Sequence, residues 1–287
     1  MRWGWLLFVP FTIFIVVFAL IPAIGMFLSS IITPAGVTLH FYKSTFTGQY
    51  LHSFLMTSAL ALYSSLISMA WGTIVTWSLV RTHNKWIQHF VTTLSSTMAN
   101  FAGLPLAVAF MTTLGTSGLL TQLLKDVHIN LVGLGWNLAS FFGLMVVYTS
   151  FLVPLCIILL LPAFASLKNE WEEASLTLGA SLKTYMLRVV GPIMLPSLVG
   201  TFVLLFANAF STYVTAFVLA GGSVNLISII IGYMINGNVS LNVSLGDALA
   251  IEEMIVLGLA VMIFLSMQKL RTSKESVSSK EVVTRAS

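Results

Sequence analysis

Long apolar runs separated by short polar interruptions dominate this chain, and six runs reach the roughly 20 helical residues needed to cross a bilayer. They lie at 5–32, 53–80, 90–114, 137–164, 197–220 and 248–267. The first follows Arg2 in the manner of a secretory signal. Its apolar run exceeds a signal h-region of about 7–15 residues, and Pro22 falls inside it without a clear cleavage site, so it is expected to stay as a span. Trp3 and Trp5 suit an interfacial aromatic belt. The reading is an all-α integral membrane protein with six transmembrane helices over residues 1–268.

The interruptions are unequal. The longest, 165–196, carries three glutamates close together and two prolines, Pro192 and Pro196. Asn169 is a suitable N-cap and Glu172 lies three residues later, the spacing of a capping box. Glu170, Glu172 and Glu173 would fall in the first turn, where the helix dipole favours carboxylates. A short helix is expected over 170–178, a sharp turn at Gly179, and a second helix over 182–190 that ends as the chain nears Pro192. Two ordinary surface helices with capping glutamates would have the same pattern.

Between spans, 116–127 has leucines at helical spacing, and 226–235 is apolar but too short to cross. The latter reads as a re-entrant or interfacial helix, either an outer gate or a packing element. The segment 269–287 is rich in serine, threonine and mixed charge, which predicts a basic, disordered tail.

Composition agrees with a membrane location. Hydrophobic residues make up 57% and charged residues 8%, too few ionisable groups to cover a soluble protein of 287 residues. Placement of the basic residues orients the chain. Arg2, Arg81, Lys85, Lys168, Lys183, Arg188, Lys269, Arg271, Lys274, Lys280 and Arg285 lie on one side, and only Lys43 and Lys125 on the other. Eleven against two puts both termini and the 165–196 loop in the cytoplasm.

Little here suggests catalysis. The chain has no phosphate-binding G-x-x-x-x-G-K-[ST] loop, no metal pairing among His40, His52, His83, His89 and His128, and no nucleophile elbow. No cofactor and no nucleic acid are expected. Cys156 and the methionines read as packing residues, and Gly143 as a site of close helix crossing.

Ionisable residues inside a span are costly and are functional candidates by default. Asp247, Glu252 and Glu253 are the carboxylates within reach of the apolar zone, and would suit a cationic solute. Alternatively, Asp247 caps the interfacial end of its helix, and one of the adjacent glutamates, about 100° apart, faces a partner. Asn208, Ser211 and Tyr213 complete a candidate solute path, with inter-helix hydrogen bonding as their structural alternative.

Glu173-Ala174-Ser175, then Gly179, then Pro192 thirteen residues later, resembles the EAA loop of the permease subunits of binding-protein-dependent ABC importers. Ser175 replaces the family's second alanine, and Gly191 stands where leucine usually precedes the proline. The resemblance extends to Asn100–Pro105, to Gly200 after Pro196, and to Ala220-Gly221-Gly222, which together look like the polyamine (spermidine and putrescine) branch. It implies a coupling helix in which Glu173, Ala174, Ser175 and Gly179 meet a cytoplasmic ATPase, with Pro192 closing the loop. It also implies a second permease chain, two ATPase subunits holding ATP and Mg, an extracytoplasmic solute-binding protein, and residence in a bacterial inner membrane. Related branches carry phosphonates, other small anions or metal ions. A secondary transporter driven by an ion gradient, with Asp247, Glu252 or Glu253 carrying the proton, is the rival of a different class.

Overall fold

Helices account for most of the described backbone, and several of their interruptions fall at glycine or proline. A computed structural model describes residues 8–33, 36–236 and 242–286, with backbone alone for Asn236 and for 267–286. Trp3, Trp5, Arg2 and the expected start of the first span lie outside the described residues.

Helix α1 spans Val9–Ile31. A two-strand hairpin follows, β1 Ile32–Thr33 antiparallel to β2 Gly36–Val37. Next come α2 His40–Thr45, α3 Gly48–Arg81, α4 Lys85–Ala99, α5 Leu104–Leu114, α6 Leu119–Asp126 and α7 Phe141–Ala165. The second half holds α8 Asn169–Thr177, α9 Leu182–Phe210, α10 Val214–Ala220, α11 Ile227–Asn236 and α12 Val243–Ala286. Among the described residues, six stretches are long and apolar enough to cross a membrane: α1, α3, the α5–α6 pair over Leu104–Asp126, α7, α9, and Val243–Ser266 of α12.

The expected spans are corrected at two places. The run 90–114 is not one helix, because Gly103 has φ +83° and Pro105 starts a new helix behind it. The first part becomes α4, capped by the Asn84 side chain accepting from the Trp86 amide and packed along α7. The fifth span begins earlier than 197 and ends earlier than 220. Helix α9 starts at Leu182, runs through Pro192 and Pro196, and stops at Phe210 before the Ser211–Tyr213 break.

Proline did not end α9 because the helix widens just ahead of it. Met186–Val190 forms a π turn whose following amide, Gly191, donates to Met186 five residues back. The wider turn relieves the crowding between a proline ring and the carbonyl four residues earlier. In α1 the same device recurs: the π turn Val16–Leu20 precedes Ile21-Pro22, with Ile21 donating to Val16.

The expected disordered tail is also corrected, since α12 continues as helix to Ala286. After Gly258 the chain contains no glycine or proline to stop it.

The chain divides into two compact units. One comprises residues 1–57 and 225–257, the other 58–224 and 258–287. In the first, Leu226, Ile227, Ile229 and Leu249 are almost fully buried. Thr57 Oγ1 accepts from the Ile227 amide at 2.9 Å, and Ser30 shares a hydrogen bond with Tyr42 at 2.8 Å. Helix α1 buries only Ser30 and leaves its apolar side chains outward, as a lipid-facing span does.

The second unit is built on α7, which is apolar all round and buries twelve of its residues, Tyr148, Phe151 and Leu160 among them. Tyr148 donates to the Thr212 carbonyl at 3.0 Å, satisfying its hydroxyl in the core. Helix α3 crosses α7 at Gly72, where a Cβ would lie 2.5 Å from Cys156 Sγ. Cys156 is thus a buried packing residue, with its Sγ 3.8 Å from Met69 Sδ. Gly143 has a different role from the one expected. A Cβ there would strike the Asn137 carbonyl at 2.3 Å, so it lets the preceding loop fold onto the start of α7.

Candidate functional site

The loop joining α7 to α9 is short, and its central helix buries nothing. Helix α8 comprises nine residues, NEWEEASLT, none of them buried. Isolated helices below about 12 residues are marginal in water, so one of this size needs tertiary support or a partner.

Its first turn is not the expected capping box. Lys168 occupies the N-cap position without a side-chain cap, and Asn169 is already the first helical residue. Glu172 therefore falls at N4, one residue past the capping-box position, and its carboxylate instead accepts from Arg81 at the end of α3. Arg81 lies over the Trp77 ring, 4.3 Å from its centroid. Trp77 in turn meets Phe164 of α7 edge-on at 5.7 Å. The indole is thus wedged between a guanidinium and a buried ring.

The far end of α8 closes as a Schellman motif. Gly179 donates to Leu176 at 2.9 Å and Ala180 to Ser175 at 3.1 Å, satisfying carbonyls that the helix end would leave unpaired. Gly179 has φ +78°, a region that residues with a Cβ enter at a cost. Ser181 then caps α9 by accepting from the Thr184 amide. The turn places Leu178 at 87% exposure, with Leu176 and Leu182 also exposed. Glu173 and Ala174 are exposed and Ser175 is half-buried. Glu173, Ala174, Ser175 and Gly179 are therefore brought together on one short element. Pro192 is not, because it lies inside α9, and the loop ends at Ser181.

A cavity of about 360 Å³ sits behind α8, lined by Trp77, Arg81, His83, Phe164, Lys168, Glu172 and Tyr185 among others. The sequence reading named none of Arg81, Trp77 or Tyr185 as a site residue. A basic side chain ending a span, four residues after a tryptophan, was the available signal.

The span carboxylates are arranged differently. Asp247 is 6% exposed and accepts a hydrogen bond from Ser29 of α1. Glu252 accepts from Thr45 at 2.6 Å and borders an apolar cavity of about 240 Å³ with Tyr50, Phe54 and Leu249. Glu253 is half-buried. Two of the three acids are thus taken up by hydroxyl donors. Among the described residues no His, Cys, Asp and Glu group is arranged to hold a metal ion.

The other path candidates lie in the second unit, at the end of α9. Asn208 and Ser211 are exposed, and the Ser211 hydroxyl bonds back to the Ala207 carbonyl at 3.0 Å. Tyr213 packs on Phe217 with ring centroids 5.4 Å apart. The contacts given for Ser211 and Tyr213 are local ones, four residues apart, and are not the inter-helix hydrogen bonds expected of the structural alternative.

No protein-family model matches the chain. It is 29% identical over 160 residues to the probable sulfate transport system permease protein cysT of Prototheca wickerhamii, covering 55% of this chain and 59% of that protein. The proteins of the same description from Helicosporidium sp. and Chlorella vulgaris are 26% and 28% identical over 172 residues each. The chain spans about three-fifths of the length of these curated relatives. Among solved structures it resembles a bacterial ABC transporter involved in the import of the acidic polysaccharide alginate, with TM-score 0.71 and 17% identity. That match covers 92% of this chain and 96% of that one. A second structure of an alginate ABC transporter, bound to its pentasaccharide-loaded periplasmic protein, has TM-score 0.66 over 92% of each chain. None of these descriptions mentions a polyamine, so the expected polyamine branch is not supported. The six-span fold is the one found in an ABC importer.

Proposed function

We propose that this chain is the permease subunit of an ABC importer and that α8 is its coupling helix. The observation that carries this reading is the solvent-facing α8, a helix that buries no residue, ends in a glycine-dependent turn, and presents Leu176, Leu178 and Glu173 outward. Exposed leucines beside carboxylates form an apolar patch with a polar rim, the surface expected of a docking element. The basic-residue asymmetry puts α8 in the cytoplasm, where two ATPase subunits would hold ATP and Mg. A second permease chain completes the path, and a solute-binding protein delivers from outside. ATP-driven closure of the ATPases moves α8, and the spans rock between inward- and outward-open states.

The cargo we propose is a small oxyanion. Support comes from relatives described as sulfate permeases and from fold neighbours that import an acidic polymer. Two of the three acids that suggested a cation are engaged: Asp247 by Ser29, and Glu252 by Thr45.

Two substitutions test the coupling reading, Glu173→Lys and Gly179→Trp. Each is expected to lower ATPase co-purification and solute uptake at least about tenfold, because docking loses roughly 1.4 kcal/mol or more. Unchanged assembly and uptake in both variants would reject the reading in favour of an ion-driven transporter. For the cargo, ATPase activity of the assembled complex is measured with sulfate and with spermidine. Stimulation by spermidine alone would reverse the oxyanion assignment.

A further inference from the structure

We infer that Arg81 is a positioning residue that ties α8 to the end of α3, so that movement of α8 is delivered to that span and not absorbed in the loop. The inference rests on the coupling reading above and adds the path by which force leaves the helix.

Three observations support it, each on a different element. Arg81 donates to Glu172, in the first turn of α8. Its guanidinium also lies over Trp77 one turn back along α3, which fixes its direction. Trp77 is held edge-on by Phe164, which is 3% exposed at the end of α7. The sequence Phe164–Trp77–Arg81–Glu172 therefore runs without a gap from a buried ring to an otherwise unburied helix.

Such a joint is needed because α8 has no other strong anchor in its first turns. Lys168 offers no side-chain cap, Glu170 and Glu173 are exposed, and the helix buries no residue. A short helix joined to α7 and α9 only through turns would swing when pulled. Anchoring its first turn to α3 makes the pull act on a 34-residue helix. The polar end of α3 is itself fixed, since Gln88 Nε2 donates to the Thr82 carbonyl at 2.6 Å and to Leu79 at 3.3 Å. The loop after α3 thus behaves as a continuation of the span.

The joint has the chemistry of a part that must move. Arg81 and Glu172 side chains are 39% and 24% exposed, and a surface ion pair is weak and screened by salt. Stacking on Trp77 gives direction without locking the guanidinium in place.

The test uses the full complex with its ATPases and binding protein in proteoliposomes, transporting labelled sulfate. Arg81→Ala and Glu172→Ala are each expected to lower solute imported per ATP hydrolysed by about two- to fivefold, the range an exposed ion pair supports. ATPase co-purification is expected to stay at the wild-type level. Amide exchange across α8 in the purified complex should rise by a similar factor. The exchanged pair Arg81→Glu with Glu172→Arg should recover part of both losses, which a purely structural fault would not permit. Unchanged amide exchange in Arg81→Ala would overturn the tether. Faster exchange with an unchanged import ratio would overturn its role in coupling. If Glu173→Lys and Gly179→Trp both leave ATPase assembly and uptake intact, the coupling reading itself fails, whatever Arg81 does.

Discussion

Two groups of acidic side chains, one on α8 and one on α12, solve the same problem with different partners. On α8, Glu172 takes a cation, Arg81, while Glu173 stays in solvent. On α12, Asp247 and Glu252 take hydroxyl donors, Ser29 and Thr45, while Glu253 is half-buried. The difference follows from solvent. At a wet surface an ion pair is a weak, reversible contact. In an apolar span a hydroxyl supplies the hydrogen bond that a buried acid requires. The first arrangement suits a joint that moves, the second one that stays.

That contrast can be broken from its rigid side first. Ser29→Val leaves Asp247 buried without its donor and is expected to cost about 2–3 kcal/mol, read as a fall in the thermal midpoint of the purified protein. A smaller loss is expected of Thr45→Val, about 1–2 kcal/mol, because Glu252 is less enclosed than Asp247. Gly179→Ala should cost about 1 kcal/mol locally: no atom lies within 4 Å of the added Cβ, so only the left-handed backbone is strained. Faster amide exchange at Ala180 and Ser181 would report it. On the reversible side, Arg81→Ala should shift global stability by less than about 1 kcal/mol, while its import ratio falls. An Arg81→Ala midpoint lower than that of Ser29→Val would invert the comparison.

Much of the architecture was legible in advance. Hydropathy alone gave the number of candidate spans and located four of the six, and the short apolar segment near 226–235 does form the separate helix α11. The turn at Gly179 and the helix before it were readable because turn chemistry is local. Errors came where a local rule met a compensating distortion. Pro192 reads as a helix end, yet the π turn over Met186–Val190 carries the helix through it. Asn100–Pro105 lies inside an apolar run that hydropathy cannot divide, and the backbone at Gly103 divides it. Glu172 reads as half of a capping box until Arg81, 91 residues away in sequence, offers a better partner.

The sequence by itself determined the solvent of this protein, the number of its candidate spans, the uneven placement of its basic residues, and the short helix that ends at Gly179. Each follows from composition or from contacts within a few residues. Only the tertiary structure decided which acids are satisfied and by what, where α9 begins, and that Arg81 reaches α8 from the end of α3. Those outcomes depend on pairs distant in sequence, such as Ser29 with Asp247 and Thr45 with Glu252. Periodicity along one chain has no means of recording a distance between two of its helices.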